Sequence, residues 1–119
     1  MTDFKGYDTG PKPKIICLCG STRFLEVFAI KAYELERDEG VIVVGCHYLP
    51  PSYFGDGPVV TDHLAEHEGC KDDMDRLHFR KIELADEIFV LNVGGYTGES
   101  TQREIVYAIS LGKKITWLE

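Results

Sequence analysis

Lys14-Ile15-Ile16-Cys17-Leu18-Cys19-Gly20-Ser21-Thr22-Arg23 decides how this chain is built. Residues 14–19 are a nearly unbroken apolar run of strand formers, the pattern of a strand buried on both faces. The polar Gly20-Ser21-Thr22-Arg23 stops that run. From residue 22 to about 38, Phe24, Val27, Phe28 and Leu35 recur at helical spacing, and Gly40 stands where a helix C-terminal glycine belongs. Val41-Ile42-Val43-Val44 then opens a second buried strand. Strand, helix and strand within about 30 residues make a βαβ unit, whose crossover is right-handed and whose strands are parallel.

Outward from this unit the alternation continues. Residues 71–85 carry Met74, His78, Ile82 and Ala85 along one helical face, residues 87–91 read as a third buried strand, residues 101–111 as a helix stopped by Gly112, and residues 114–118 as a last strand. Four buried strands alternating with helices predict an open parallel α/β sheet with helices on both faces. Residues 1–13, with Gly6, Gly10, Pro11 and Pro13, read as an irregular arm, and residues 14–119 as a single domain. Residues 45–69 are the least regular part: Pro50-Pro51-Ser52-Tyr53-Phe54-Gly55-Asp56-Gly57-Pro58 is dense in turn formers, and a short helix is predicted around residues 61–68.

The chain has 119 residues, room for one domain, and 44% of them are hydrophobic, enough to bury a core. With 13 Lys+Arg against 20 Asp+Glu, its formal net charge of -7 argues against a nucleic-acid polymer as partner, because that binding needs a basic face. No apolar run approaches the ~20 residues that span a bilayer, so no membrane is expected. Four cysteines behind an N-terminus without signal character predict free thiols and a cytoplasmic protein.

Ligands of open α/β sheets bind beyond the carboxyl ends of the strands, where the strand order reverses. There the first strand is followed by Gly20, Ser21, Thr22 and Arg23 at the start of a helix. Glycine admits close approach, free N–H groups suit an anion, and arginine forks onto phosphate oxygens. The same residues also suit a plain N-cap at Ser21 and a solvated Arg23. After the third strand come Gly94, Gly95, Gly98, Ser100 and Thr101, in which Thr101-x-x-Glu104 has the form of a capping box. Two glycine-rich loops facing one another, one with an arginine and one with a carboxylate, form a cleft of opposite charges.

His63 and His67 stand four apart with Cys70 close behind, a spacing with which a helix can share a metal. No firm signature is completed, and Asp62, Glu66 and Glu68 fit a solvated helix, so no metal site is assigned. Cys17 and Cys19 face the same side of their strand and read as core thiols. His78 falls on the core stripe of its helix, where its ring can reach past the helix into the cleft, with Asp75 one turn earlier to orient it.

Taken together, Leu18-Cys19-Gly20-Ser21-Thr22-Arg23, Ile82-x-x-Ala85-Asp86-x-x-x-Val90, Glu104-Ile105-x-Tyr107-Ala108 and Gly112-Lys113-Lys114-Ile115 resemble the nucleoside 2-deoxyribosyltransferase superfamily over about residues 14–118. The nearest branch is that of the 2'-deoxynucleoside 5'-phosphate N-hydrolases. The resemblance implies a small Rossmann-like or flavodoxin-like three-layer sandwich with an open parallel sheet of four to five strands. It implies a homodimer or higher homo-oligomer whose sites borrow residues from a neighbour, a nucleoside or nucleotide as ligand, and no cofactor. Exposed Tyr48, Tyr53 and Phe54 are expected to need the cover that a second copy supplies.

By the same resemblance Glu104 is the catalytic carboxylate at the anomeric carbon, and Gly20, Ser21, Thr22 and Arg23 hold a 5'-phosphate. Ser100 contributes from the second loop, displaced from the family's serine, whose position falls near Gly98, with Thr101 beside it. The family's strand tyrosine falls on Cys17 and its leaving-group aspartate on His78, an imidazole that can donate to a leaving base. Arg103, beside Glu104 in the sequence, adds a positive charge that is expected to hold that carboxylate ionised or to pair with it. The alternative function is a nucleotide-binding module of the same fold that has lost the chemistry.

Overall fold

The computed structural model describes residues 8–60 and 63–119, so part of the predicted arm and Thr61 and Asp62 of the predicted short helix lie outside the described residues. The strands are β1 (Ile15–Cys19), β2 (Ile42–Val44), β3 (Glu87–Val90) and β4 (Lys114–Trp117), and the helices α1 (Leu25–Glu39), α2 (Leu64–His67), α3 (Lys71–Leu84) and α4 (Glu99–Ser110). All four strands are parallel, in the order β2-β1-β3-β4. This is a small Rossmann-like α/β fold, and the strand order reverses between β1 and β3, which pair from Ile16 with Glu87 to Cys19 with Val90.

Alternation along β1 divides the core in two. Ile16 and Leu18 pack with Phe28 and Leu35 of α1 and with Leu91. Cys17 and Cys19 face the other way, into a cluster with Ile82 of α3, Ile88, Val90 and Ala108 of α4. Helices therefore cover both faces. The ladder runs past the strand ends, since Leu91 N donates to Cys19 O at 2.8 Å and Leu118 N to Val90 O at 2.9 Å. At the opposite edge Ile15 N donates to the Asp86 carboxylate at 2.8 Å, closing the turn between α3 and β3.

The prediction of four buried strands holds only for β1 and β3. Ile42 of β2 is 40% exposed and Trp117 of β4 is 46% exposed, because each is an edge strand with one neighbour. Gly40 caps α1 in the left-handed conformation, φ 63°, with its N–H on Glu36 O. Gly20 serves a different need: a Cβ there would stand 3.1 Å from the Phe28 ring and 3.2 Å from Leu91 O, so the β1 loop packs too closely for a side chain.

The predicted short helix shrinks to the four residues of α2. Tyr48 does not need an outside partner for its ring, which packs edge-on to Phe28 at 5.3 Å and buries a hydroxyl with no hydrogen-bond partner among the described residues. Tyr53 is exposed as expected, and further exposed apolar residues stand on α1, at Ile30 and Tyr33, and along α3 and α4, at Leu77, Leu84, Val106 and Ile109, where Leu77, Val106 and Tyr107 line a groove of about 1090 Å³. Among the described residues no helix is long and apolar enough to cross a membrane.

Candidate functional site

A cavity of about 340 Å³ opens at the switch point between β1 and β3. Gly20, Ser21 and Thr22 enter its wall from β1, Cys46 from the end of β2, Leu64 and Ala65 from α2, and Lys71 from the start of α3. Gly98, Ser100, Thr101 and Glu104 enter from the start of α4, and His63, Glu66, Tyr96 and Glu99 complete it. Such a volume falls in the ~300–1,000 Å³ range of small-molecule sites. Gly20, Ser21, Thr22, His63, Gly98, Ser100, Thr101 and Glu104, all singled out in the sequence, thus meet at one place, drawn from segments that are far apart in the chain.

The first turn of α4 forms one wall. The helix begins at Glu99 with Gly98 as N-cap and no side-chain cap, two residues earlier than predicted. Thr101 is therefore inside the helix and buried, and the capping box does not form. Glu104, one helical turn further on the same face, turns inward and is 9% exposed. Across the cavity Ser21 Oγ accepts from Arg23 N at 3.2 Å, so Ser21 does cap the short 3-10 turn Thr22–Phe24. Arg23 is exposed and its guanidinium stacks 4.6 Å from the centre of the Tyr96 ring, tying the β1 loop to the β3 loop.

His78 is enclosed at 3% exposure rather than turned into the cleft. Its Nε2 lies 3.4 Å from Cys19 Sγ, 3.8 Å from Cys17 Sγ and 3.5 Å from Glu104 Oε1, and its Nδ1 lies 3.6 Å from Cys46 Sγ. Burial pushes the Glu104 carboxyl up to about 7 against the opposing charge of His78. Burial also disfavours an imidazolium, yet hydrogen bonds to Cys17 and Cys46 and the field of Glu104 outweigh it and raise His78 to about 11. The hydrogen bond from Cys19 lowers Cys17, and the same bond together with burial raises Cys19.

Asp75 does not orient His78. Its carboxylate takes the Lys71 ammonium at 2.6 Å and faces Arg103 at 4.0 Å, because helical spacing puts residues 71 and 75 on one face. Arg103, half exposed, likewise reaches Asp75 and Ser100 rather than Glu104, since adjacent helix positions point in different directions. Lys71 also donates to Ser100 Oγ at 3.2 Å. His63, at the cavity wall, and His67 stand beside the carboxylates of Glu66 and Glu68, and among the described residues they form no cluster of metal-ligating atoms with Cys70.

Sequence reasoning missed the parts played by Lys71, Tyr96 and Cys46. Cys46 carried a usable signal, since it follows the end of β2 and so sits at the carboxyl edge of the sheet. Comparison with protein-family models finds no match to this chain, and comparison with curated proteins finds none either.

Proposed function

We propose that the protein cleaves or transfers at the N-glycosidic bond of a nucleoside or nucleoside 5'-monophosphate, as a member of the nucleoside 2-deoxyribosyltransferase superfamily near its 2'-deoxynucleoside 5'-phosphate N-hydrolase branch. One observation carries the reading: the buried carboxylate of Glu104 borders a ligand-sized cavity at the switch point, between the β1 loop and the first turn of α4. Breaking an N-glycosidic bond gives the sugar oxocarbenium character, and an ionised carboxylate beside the anomeric carbon stabilises or traps it. Free N–H groups at the start of α4 and the ammonium of Lys71 suit a sugar hydroxyl or a phosphate.

Glu66 and Glu99 line the same cavity, in which Lys71 is the one lysine or arginine among the described residues. That balance suits an uncharged nucleoside at least as well as a monophosphate. The same reading makes the protein cytoplasmic and pairs two copies of it, with the apolar α3–α4 face available to the partner.

A second reading, a nucleotide-binding module without turnover, is favoured by the enclosure of Cys17 and His78. Neither is among the cavity residues, so neither reaches a leaving base as the family's tyrosine and aspartate would. A panel of ribo- and deoxyribonucleosides and their 5'-monophosphates, with free base measured by chromatography and binding by thermal shift, separates the two. Base release above background supports the glycosidase. Stabilisation by a nucleotide without release supports the module, and neither response from any compound removes both.

A further inference from the structure

The α3–α4 side of β1 contains more than packing. The ligand atoms of Cys17, Cys19 and His78 all lie within 4.8 Å of one another, and all three residues are buried. Glu104 Oε1 stands at the edge of this three-residue cluster, 3.5 Å from His78 Nε2, and a shift of its side chain would bring it into the set. A ring nitrogen makes one well-directed hydrogen bond, so Nε2 alone does not satisfy two sulfurs and a carboxylate. A cation held among them would.

The distances match a particular one. A tetrahedral zinc with Zn–S of about 2.3 Å and Zn–N of about 2.0 Å keeps nitrogen and sulfur about 3.5 Å apart, and nitrogen and carboxylate oxygen about 3.4 Å apart. Here the sulfurs stand 3.4 and 3.8 Å from Nε2 and the carboxylate oxygen 3.5 Å. The ring is also held as a zinc ligand is held, by a contact on its other nitrogen, where Cys46 Sγ stands 3.6 Å from Nδ1. Cys46 and Glu104 both border the cavity, which supplies a route of entry.

We propose that Cys17, Cys19 and His78 form a zinc site, closed by Glu104 as fourth ligand. On binding, the protons held by the thiols and by the His78 imidazolium at Nε2 leave to solvent, so the metal meets two thiolates, a neutral imidazole and a carboxylate. Thiolate and imidazole together suit zinc rather than calcium or magnesium, which take oxygen ligands. The inference stands independently of the glycosidase reading, but it bears on it. Zinc would hold the one carboxylate that the reaction uses, so bound metal and turnover would compete for Glu104.

The test uses the intact chain, stripped of metal under reducing conditions. Titration with cobalt should give one equivalent per chain, a tetrahedral absorption spectrum and a thiolate-to-cobalt charge-transfer band, all lost when zinc is added. Zinc retained through dialysis, counted by elemental mass spectrometry, should fall at least about tenfold in Cys19→Ser and in His78→Gln. The double variant His63→Ala/His67→Ala, which removes the two exposed histidines nearest Cys70 in the chain, should keep both stoichiometry and spectrum. Should the core variants fail to fold, the wild-type cobalt spectrum decides, because only thiolate ligands produce the charge-transfer band. Octahedral cobalt without that band overturns the proposal, as does zinc retention that survives in folded Cys19→Ser or disappears in the double histidine variant.

Discussion

On one face of β1, Ile16 and Leu18 meet Phe28, Leu35 and Leu91; on the other, Cys17 and Cys19 meet His78 and, around its ring, Cys46 and Glu104. The two faces belong to the same five residues and are equally dry. Their energetics differ. The α1 face is stabilised by area removed from water and has no charge to satisfy. The α3–α4 face buries ionisable groups, which cost free energy unless each finds a partner, and it opens through Glu104 onto a cavity. A core that spends part of its packing on a carboxylate, an imidazole and three thiols is one whose composition answers to chemistry as well as to folding.

The comparison is tested most severely by substitutions of matched burial. Leu18→Ala on the α1 face should cost about 3 kcal/mol in denaturant unfolding, through lost transfer energy and a residual cavity. Glu104→Gln on the other face keeps volume and removes a charge held in a dry place, so it should move stability by no more than about 1 kcal/mol. Equal losses from the two variants would mean that Glu104 is a structural member of the core.

A smaller effect concerns the rim of the cavity. Arg23→Ala removes the stack on Tyr96, which is worth about 0.5 kcal/mol at an exposed site, and should leave the fold intact. If Arg23 leaves that stack to fork onto a phosphate, the variant should weaken a nucleoside monophosphate about tenfold or more while sparing the nucleoside. Equal binding of both ligands by variant and wild type would make Arg23 a strap between loops and nothing further.

These contrasts also mark what the sequence discloses. The βαβ unit, the parallel sheet and the placing of Gly20, Ser21, Thr22, Gly98, Ser100, Thr101 and Glu104 at one edge follow from local patterns, because burial on two faces and helical periodicity are local properties. The side-chain partners do not follow. Cys19 and His78 are 59 residues apart and Cys46 and His78 are 32 apart, so only the packing of α3 on the sheet brings them together. Local rules also misdirect where a tertiary contact outcompetes them. The sequence of a capping box is present at Thr101 and Glu104, but an earlier start of α4 at Glu99 turns Glu104 into the core. Asp75 stands one turn from His78 and is captured by Lys71 instead.

The central claim is that Glu104 acts on a glycosidic bond. Its most direct test is the initial rate of base release at saturating substrate, measured for wild type and Glu104→Gln on metal-free protein, with thermal shift confirming that both bind the ligand. The account predicts a loss of about a thousandfold or more in the variant with ligand-induced stabilisation retained. Base release that persists in Glu104→Gln within tenfold of wild type would contradict it.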